Sequence, residues 1–575
     1  MDKKLPDLNT ADAMLEALEE LGVSYLFSNL GSDHPAIIEA LAKAKSLNRE
    51  LPEVIISPHE YVALSAAHGY YLLSGQTQGV FIHTDVGTQN LGGSLHNAAR
   101  SRVPVFIFSG ETPSTMNGEL PGSRNSHINY LQNVYDQRGI VRSYVKWEYD
   151  VRTGANVKDV VYRGMQLAES EPTGPVYLTA AREVLEESVS PSENKVPEWS
   201  KVNEGTLSDK GTKEIVENLS ISEYPLVITS YSGRKKESVD ELIRLCEQLA
   251  LPVIESNGTH MNFPSNHDLH QGFQVGEYLE KADVVLVIDS DVPWVPTEHK
   301  PNEQCSVFHI DIDPIKKDMP LWHIPTVASY QADSYQALKQ LNDYLSNLKV
   351  NESLVQKRRK RLSILHEEHR KEWNGKVESL GDVITPEFLS SCIRDVIDED
   401  AIIFNETITN AMAVNKHLDR NKPGTLYGNG GSSLGWSGGA SLGAKLAAPK
   451  KTIVNVVGDG SYLFSQPSSV QWISRRYQAP FLTVIYNNQG WNATKNNVLK
   501  LYPDGVAKRD DRYWVNFDQP ANFSKIAEAA GGAYAAKVTD PAELVKELKQ
   551  GLHEVRNGRS AVIDVVLPVI SQQID

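Results

Sequence analysis

Cysteine is scarce in this chain: Cys246, Cys305 and Cys392 are the three among 575 residues, and they show no metal-ligand spacing. This count excludes a disulfide framework, and we expect the three thiols to lie in the cores of a protein of the reducing cytoplasm. Long apolar runs are lacking too, since none reaches the roughly 18 residues of a membrane-spanning helix. The amino terminus also has no apolar stretch of the kind that marks a signal peptide. We therefore expect a cytoplasmic protein with no membrane partner.

Positive charge is in deficit. The chain has 57 Lys and Arg against 73 Asp and Glu, a net charge of −16 at pH 7, so a nucleic-acid partner is not expected. The basic run at 357–361 is followed by acidic residues at helical spacing, and we expect it on a solvated linker helix. No Gly-x-Gly-x-x-Gly follows a strand in the middle of the chain, so a nicotinamide cofactor is not supported.

The length of the chain and two polar stretches within it predict how its domains are organised. A chain of 575 residues is too long for one hydrophobic core and predicts about three domains. Polar stretches at 188–210 and 349–381 divide it, and in each segment apolar strand runs alternate with amphipathic helices. We predict an α/β protein with three doubly wound parallel-sheet domains at 1–187, 188–348 and 382–575, with a linker at 349–381.

Two polar motifs between residues 458 and 488 each follow an apolar run. Asp459 lies in Gly-Asp-Gly-Ser after the run 453–457, and Asn488 lies in Asn-Asn after the run 481–485. Residues 468–477 between them have a helical pattern. Such a unit is a right-handed parallel crossover, which brings both motifs to one sheet edge, where these folds bind ligands. Carboxylate and amide oxygens suit Mg²⁺ that also binds phosphate, so the pattern predicts a magnesium–diphosphate clamp.

A second set of polar residues follows the predicted strands of the first segment. Asn29 and Ser32 follow the run 25–28, Glu60 follows 54–57, and His83 follows 80–82. In a parallel sheet these ends converge on one edge, so the four residues are expected to share a crevice. Each alone has a structural explanation: Ser32 as a helix cap, Glu60 as a first-turn acid and His83 as a core histidine. Together, and beside the clamp, they favour a catalytic site.

The spacing of the Gly-Asp-Gly-Ser and Asn-Asn motifs resembles the thiamine diphosphate (ThDP) signature of the acetolactate synthase, pyruvate decarboxylase and benzoylformate decarboxylase superfamily. The resemblance implies a pyrimidine-binding domain at 1–187, a central Rossmann-like domain at 188–348 and a diphosphate-binding domain at 382–575. It also implies that Asp459, the Asn488 side chain and the Gly490 carbonyl bind Mg²⁺. The expected cofactor-binding residues are Glu60, Thr409, Ser432, Leu434, Gly458, Asp459, Gly460, Ser461, Asn488 and Gly490.

Individual roles follow from the same resemblance. The Pro-His-Glu-Tyr segment that contains Glu60 is similar to the family segment whose glutamate hydrogen-bonds N1′ of the cofactor aminopyrimidine. Leu434 aligns with the bulky residue that props ThDP into its V shape. The Ser432 carbonyl aligns with the acceptor of the 4′-amino group, and Thr409 with a diphosphate contact.

The site residues look most similar to those of benzoylformate decarboxylase. His83 precedes a segment similar to that after the catalytic histidine of that family, and the Asn-Leu-Gly-Ser ending at Ser32 matches its Asn-Pro-Gly-Ser turn except for the leucine. Glu60, His83 and Ser32 are therefore the expected catalytic residues. Ile408 replaces a smaller polar residue of the substrate pocket, whose expected lining residues here are Asn29, His127, Ile408 and Ala493.

The loop 118–127 is much more polar than the leucine-rich counterpart in that family. Arg124, Asn125 and His127 in this loop favour a smaller or more polar 2-oxo acid as substrate. The second histidine of benzoylformate decarboxylase has no match in register, although His299 lies nearby.

The resemblance implies a ThDP- and Mg²⁺-dependent enzyme that decarboxylates a 2-oxo acid without oxidation, through an enamine intermediate. The same residues would serve an acetolactate-synthase-like carboligase that forms an acyloin or acetohydroxy acid. An FAD-dependent oxidase is a further alternative, because residues 230–234 neither prove nor exclude a flavin. A catalytically silent relative is disfavoured, since Glu60 and the metal ligands are present. In this family the cofactor lies between the first domain of one subunit and the third domain of another, so we expect a homodimer or homotetramer with the active site at a subunit interface.

Overall fold

The computed structural model describes residues 8–189, 200–375, 377, 381–517 and 519–569. Over these residues the chain forms three parallel sheets flanked by helices, which confirms the prediction of an α/β protein with three doubly wound domains. Parts of the two predicted linkers, 190–199, 376 and 378–380, lie outside the described residues.

The strands are numbered in chain order across the three domains. They are β1 (Leu8–Asn9), β2 (Tyr25–Ser28), β3 (Glu53–Ile56), β4 (Gln78–Ile82), β5 (Val105–Glu111), β6 (Trp147–Asp150), β7 (Val176–Ala181), β8 (Ser188–Val189), β9 (Pro225–Thr229), β10 (Val253–Glu255), β11 (Val284–Ile288), β12 (Ser306–Asp311), β13 (Ala328–Gln331), β14 (Ile402–Glu406), β15 (Leu426–Gly428), β16 (Ile453–Gly458), β17 (Leu482–Asn487), β18 (Tyr534–Val538) and β19 (Ala561–Val566).

The α-helices are numbered in the same way. They are α1 (Thr10–Glu20), α2 (Pro35–Ser46), α3 (Glu60–Ser74), α4 (Thr84–Asn90), α5 (Gly92–Arg100), α6 (Ile128–Leu131), α7 (Val157–Glu169), α8 (Arg182–Leu185), α9 (Asp209–Ile221), α10 (Lys236–Leu249), α11 (Gly276–Lys281), α12 (Ser334–Leu345), α13 (Glu352–Asn374), α14 (Pro386–Val396), α15 (Ala411–His417), α16 (Trp436–Ala447), α17 (Asp459–Phe464), α18 (Pro467–Arg476), α19 (Asn492–Leu501), α20 (Val506–Arg509), α21 (Phe523–Gly531) and α22 (Pro541–Arg556). Among the described helices, none is both long and apolar enough to cross a membrane.

Strands β1 and β8 form a small antiparallel pair, and each of the three parallel sheets has a point at which the strand order reverses. The orders are β3-β2-β4-β5-β7-β6 in the first domain, β10-β9-β11-β12-β13 in the central domain and β15-β14-β16-β17-β19-β18 in the third. The reversal falls between β2 and β4, between β9 and β11, and between β14 and β16. A crevice forms at the carboxyl ends of the strands at such a point, and ligands bind there. Candidate site residues are therefore expected after β2, β4, β14 and β16.

The central strands are buried on both faces. Strands β4, β11 and β17 are buried along their whole length, which explains why their sequences are nearly continuous apolar runs. The run 25–28 coincides with β2, and the runs 54–57, 80–82, 453–457 and 481–485 differ from β3, β4, β16 and β17 only at their ends. His83 lies just beyond β4, as the residue before α4.

Helix α13 contains the basic run at 357–361. The run was expected to be solvated, and this expectation is wrong for one face of the helix. The Arg358 side chain is fully buried. Its guanidinium donates to the backbone oxygens of Leu249 at 2.8 Å and Leu219 at 3.1 Å, and also to that of Ser222. These carbonyls end helices α9 and α10, where a cation is favourable. A charge pattern cannot distinguish such a capping arginine from a solvated one.

Helix α3 of the first domain packs closely on α16 of the third. A Cβ at Gly69 would overlap the backbone of Ala440, and a Cβ at Gly443 would overlap the backbone of Ala66. These glycines therefore allow the two backbones to touch. This packing fixes the beginning of α3, which carries Glu60, relative to the turn that precedes α16.

Candidate active site

Asp459 lies at the carboxyl end of β16, where it is the first residue of α17. Its buried carboxylate accepts hydrogen bonds from the backbone amides of Gly460 at 2.7 Å and Gly490 at 3.1 Å. Burial raises the pKa of Asp459 to about 6, and the amides oppose this rise. The bond from Gly490 joins the end of β16 to the loop after β17, so the two predicted motifs of the clamp meet.

The Asn488 side chain is 3% exposed, and its Oδ1 has no hydrogen-bond partner among the described residues. The preceding Asn487 is structural, because its Nδ2 donates to Asp564 Oδ1 at 2.8 Å. A buried oxygen without a partner costs about 1–3 kcal/mol, so it marks a place where a ligand supplies the missing contact. The Asp459 carboxylate and the Asn488 oxygen are hard donors that fit Mg²⁺.

The Gly-Asp-Gly-Ser motif brings backbone and side chains into close contact. Gly458 is the residue before α17, and Gly460 and Ser461 are buried in its first turn. A Cβ at Gly460 would overlap the Trp491 indole, so any other residue would displace the loop that carries Gly490. The glycine therefore maintains the clamp geometry.

The turn that carries Ser432 and Leu434 is held by a buried carboxylate that sequence reasoning missed. Glu406, the last residue of β14, accepts hydrogen bonds from the backbone amides of Gly435 at 2.6 Å, Trp436 at 3.3 Å and Ser437 at 2.8 Å. These amides open α16 and have no intrahelical acceptor. Burial raises the pKa of Glu406 to about 7, and the amides oppose this rise. The available sign of its role in the sequence was its position shortly after the apolar residues 402–404.

A cavity of about 440 Å³ opens beside this turn, between the third and central domains. Ala493 does not line this cavity and is exposed on α19, so the structure brings Ile408 to the cavity and leaves Ala493 outside it. Residues that line the cavity include Asn257, Thr259, Ile408, Thr409, Ser432 and Leu434.

Ile408 has an unusual backbone conformation at the cavity wall. Its φ is +49°, in the left-handed region that a β-branched residue rarely adopts. Such a conformation costs on the order of 1–3 kcal/mol and is found mainly at functional sites. Ile408 begins the 3₁₀ turn Ile408–Asn410, so the strain presents this turn, including Thr409, to the cavity.

Glu60 is the first residue of α3 and is buried. Its two carboxylate oxygens accept hydrogen bonds from Asn29 Nδ2 at 2.8 Å and Asn90 Nδ2 at 3.0 Å. Asn29 follows β2, so the predicted meeting of these strand ends is found. Asn90 ends α4 and was not predicted as a site residue, although it belongs to the segment after His83 that is similar to benzoylformate decarboxylase. The two amides fix the direction of the carboxylate.

His83 lies at the end of β4 and forms a contact at each edge of its ring. Nδ1 makes a short hydrogen bond to Asp33 Oδ1, and Nε2 lies 2.8 Å from Gln132 Nε2. Ser32 is in the same turn as Asp33, but its side chain is exposed and its carbonyl accepts from Arg182 at 3.3 Å. Asp33 and Gln132 were not predicted as site residues.

The polar loop after β5 is tied down by its own side chains. Arg124 Nε donates to Pro113 O at 2.8 Å, and its guanidinium lies over the Tyr130 ring at 4.7 Å. Asn125 Oδ1 accepts from Arg182 at 3.1 Å. His127 is exposed at the residue before α6. The loop thus lies next to the turn that contains Ser32. Of its three candidate substrate-binding residues, Arg124 and Asn125 also hold the loop in place.

The site residues form two groups within the chain. One group surrounds Glu60 in the first domain, and the other surrounds Asp459 in the third. Among the described residues, no hydrogen bond or ion pair joins Glu60 or His83 to Asp459 or Asn488. The groups are linked through Tyr61, whose hydroxyl donates to the Leu434 carbonyl at 2.7 Å.

Comparison with protein families identifies all three domains. The thiamine pyrophosphate enzyme N-terminal TPP binding domain matches residues 8–140, the central domain matches 212–341, and the C-terminal TPP binding domain matches 408–565. Together these matches cover well over half of the chain.

Individual relatives span the same length. The acetolactate synthase large subunit of Buchnera aphidicola subsp. Schlechtendalia chinensis is 24% identical over 97% of this chain and 94% of that protein. The acetolactate synthase isozyme 3 large subunit of Escherichia coli (strain K12) is 24% identical over 97% of this chain and 95% of that protein. The fold is similar to that of a thiamine diphosphate-dependent 4-hydroxybenzoylformate decarboxylase from Rhodococcus jostii RHA1, with a TM-score of 0.80 and 20% identity over 98% of this chain and 99% of that one.

The chain belongs to the thiamine pyrophosphate enzymes, in the family of acetolactate synthases and ThDP-dependent decarboxylases. This confirms the resemblance found in the sequence. Its two terminal domains are TPP-binding domains, so its cofactor is thiamine diphosphate.

Proposed function

We propose that this protein is a Mg²⁺-dependent ThDP enzyme that decarboxylates a 2-oxo acid without oxidation. The observation that carries the proposal is Glu60, a buried carboxylate fixed between the amides of Asn29 and Asn90. His83 follows β4, which pairs with β2, the strand before Asn29, and it supplies a titratable group at the same sheet edge. When bound, ThDP supplies a nucleophilic carbon and accepts the electron pair that CO₂ leaves behind.

The residues of the chain divide the work between binding and proton transfer. Asp459, Asn488 and the Gly490 carbonyl would hold Mg²⁺, and Gly458, Gly460, Ser461, Thr409, Ser432 and Leu434 would hold the cofactor. Glu60 would hold a proton at the aminopyrimidine nitrogen. His83 would move a proton to or from the substrate, and Ser32 would orient the substrate beside it.

A carboligase is the second candidate, and the curated relatives favour it. Two acetolactate synthases align over nearly the whole chain. Both reactions use the residues named above, and they differ in whether a second carbonyl compound or a proton reaches the bound intermediate. The expected substrate-pocket residues, such as Ile408 in the third domain and His127 in the first, would therefore decide the product.

We further infer that the enzyme works without a flavin, because ion pairs between side chains occupy the crevice at the switch point of the central domain, beside cavities of about 290 and 390 Å³. At the carboxyl end of β9, the Tyr231 hydroxyl donates to Asp311 Oδ2 at 2.6 Å, and Lys316 Nζ lies 2.7 Å from the same oxygen. Arg102 forms two hydrogen bonds with Asp291 beside them, at 2.6 and 3.2 Å. A flavin at this switch point would have to displace these ion pairs, of which the pair of Asp311 and Lys316 is fully buried.

A homodimer with shared active sites is supported by exposed apolar side chains near both groups of site residues. Leu131, beside Gln132, is 74% exposed, and Tyr130 is also exposed. In the third domain Trp514 is 85% exposed, and Phe464 and Trp491 are exposed at the clamp. Large exposed apolar groups mark interaction surfaces where they lie together, as the Phe464 and Trp491 rings do with their centroids 6.4 Å apart. We propose that a second copy covers them and completes each site.

Product analysis tests the reaction. The purified protein is incubated with ThDP, Mg²⁺ and a panel of 2-oxo acids, and products are followed by proton NMR. An aldehyde from one acid supports the decarboxylase, whereas a branched hydroxy-keto product supports the carboligase. If ThDP binds and no 2-oxo acid is consumed, the proposed substrate class is wrong.

Subunit complementation tests the shared site. Glu60→Gln and Asn488→Ala chains, each inactive, are mixed and allowed to exchange subunits. If each site draws its two groups from different chains, a heterodimer has one site with both changes and one with neither. Random pairing then restores roughly a quarter of the wild-type activity. If both groups come from one chain, every site in the mixture carries a change and no activity returns.

A further inference from the structure

The His83 ring is held from two directions by residues without an assigned role. On one side is the short hydrogen bond from Nδ1 to Asp33 Oδ1, and on the other the 2.8 Å contact between Nε2 and the Gln132 side-chain amide. Asp33 comes from the turn after β2, and Gln132 comes from the loop after β5. The ring itself is partly exposed, whereas Asp33 and Gln132 are buried.

Asp33 Oδ1 also lies 2.9 Å from Nδ1 of the neighbouring His34, a nitrogen that is 3.1 Å from the Gly31 amide. The oxygens of an Asp33 carboxylate can only accept hydrogen bonds. The short contact between Asp33 Oδ1 and the His83 ring therefore places a proton on His83 Nδ1. This leaves Nε2 as the nitrogen of neutral His83 that can take up a proton.

The surrounding backbone is shaped to keep Asp33 and His83 together. A Cβ at Gly31 would overlap the His83 ring, and a Cβ at Gly110 would overlap the Asp33 carboxylate. Thr84, directly after His83, is buried and has a φ of +43°, which is strained for a β-branched residue. Its amide donates to Asp33 Oδ2 at 3.2 Å. Asp33 thus stabilises the strained turn that presents His83.

We propose that Asp33 and Gln132 are positioning residues for His83: Asp33 fixes Nδ1 as the proton-bearing edge, and Gln132 donates to Nε2 until the substrate takes its place and exchanges a proton at that edge. This inference rests on the proposed function for its catalytic consequence, but the arrangement of the three side chains does not depend on it.

Gln132 suits a residue that changes protonation state. Its amide nitrogen donates to Nε2 of neutral His83, and after a half-turn its oxygen accepts from the protonated ring. In the structure the nitrogen faces His83, and the oxygen is buried without a hydrogen-bond partner among the described residues. The assignment of amide nitrogen and oxygen follows from the hydrogen-bond network.

The charges around His83 are mostly negative. The hydrogen bond to Asp33 raises the pKa of His83, burial opposes the rise, and Asp85 on α4 and Glu60 on α3 add to it. Burial alone would raise the pKa of Asp33, but His34 and His83 more than offset it, so that pKa lies well below its usual range. Asp33 therefore remains a carboxylate and stabilises the imidazolium that forms when Nε2 takes up a proton.

Titration of His83 tests the proposal without any turnover. The chain is labelled with ¹³C-histidine, and the His83 signal is assigned by its loss in His83→Gln. Asp33→Asn should lower the pKa of His83, and Gln132→Glu, which places a carboxylate at the other edge, should raise it. Asp85→Asn is the matched control, since Asp85 faces His83 with no hydrogen bond to it, and its removal should lower the pKa less than Asp33→Asn.

The proposal is overturned if Asp33→Asn shifts the pKa no more than Asp85→Asn, or if Gln132→Glu lowers it. Should Asp33→Asn not fold, the opposite signs expected for Gln132→Glu and Asp85→Asn decide alone.

Turnover supplies a second, independent readout. His83→Gln should reduce kcat by about 10²- to 10⁴-fold. If Asp33 acts through His83, adding Asp33→Asn to His83→Gln changes kcat by less than about twofold, whereas Asp33→Asn alone causes a large loss. A further large loss in the double variant contradicts the proposal. If no 2-oxo acid is consumed by the wild type, the proposed function fails, and the titration still tests the positioning roles.

Discussion

Glu406 offers the most quantitative test of how the cofactor site is built. Its carboxylate accepts three backbone amides that open α16 and so fixes the turn that carries Ser432 and Leu434. Each buried amide left without an acceptor costs about 1–3 kcal/mol, so Glu406→Ala should lower the free energy of unfolding by at least about 3 kcal/mol. Glu406→Gln keeps one oxygen but turns an NH₂ group towards a donor, and about 1–3 kcal/mol should be lost.

The same change should weaken cofactor binding, because on the proposed function ThDP binds to this turn, which is then no longer held. If about 1.4 kcal/mol of the lost stabilisation has to be restored on binding, the affinity of Glu406→Gln for ThDP falls about tenfold. Urea unfolding measures the stability, and isothermal titration with ThDP and Mg²⁺ measures the affinity.

Ser208→Ala is the matched control, since Ser208 caps α9 in the central domain through the Gly211 amide at 3.2 Å. It should cost about 1 kcal/mol of stability and leave ThDP affinity unchanged. The reasoning is refuted if Glu406→Gln unfolds like the wild type, or if its ThDP affinity changes no more than that of Ser208→Ala.

Three further outcomes are expected. Asn488→Ala should abolish Mg²⁺-dependent ThDP binding, measured by calorimetry, without lowering the stability of the free protein, because the Asn488 Oδ1 bonds no described residue. Asn487→Ala should instead lower the free energy of unfolding by about 1–3 kcal/mol, because it leaves Asp564 without its donor, and urea unfolding measures this loss. Gly443→Ala should lower the free energy of unfolding by about 1–3 kcal/mol or more, because the added Cβ would meet the Ala66 backbone. The control Gly92→Ala in α5 places its Cβ in open space, so in the same assay it should be neutral or stabilising by up to about 1 kcal/mol. The purified protein should show no flavin absorbance, and a bound flavin would contradict the role given to Tyr231 in the central crevice.

The sequence predicts the parts of the site that follow a local pattern. Asp459 and Asn488 each come directly after an apolar strand, so strand periodicity and sheet topology together predict that their motifs meet. Glu60 and His83 were placed by the same reasoning. In each case the position in the fold follows from the nearest strand, and the chemistry follows from the residue type.

The missed residues depend on tertiary contacts that have no local pattern. Gln132 reaches His83 from a loop 49 residues away in the sequence, and Arg358 caps helices more than a hundred residues away. The local sequence around Asp33 predicts only a helix-capping residue, because its contact with His83 depends on the close packing at Gly31. Composition and spacing contain no information about which distant side chain will reach a given atom, so such partners require the three-dimensional structure.

The positions of the arginines bear on which reaction the site favours. Arg124 lies over Tyr130, and Arg182 donates to Ser32 O, Asn125 Oδ1 and Ser123 O, so both cations near the first-domain crevice have protein partners. A cation fixed at the substrate carboxylate would stabilise the bound substrate, which carries the full negative charge, more than the transition state, in which that charge is leaving the carboxylate. Such a cation would therefore slow decarboxylation. Neutral donors would hold the carboxylate less strongly and leave that barrier lower. If this reasoning holds, Arg124→Ala should change kcat and KM little, and substrate choice should follow the shape of the loop rather than its charge. A large rise in KM for Arg124→Ala would instead assign the carboxylate to that arginine.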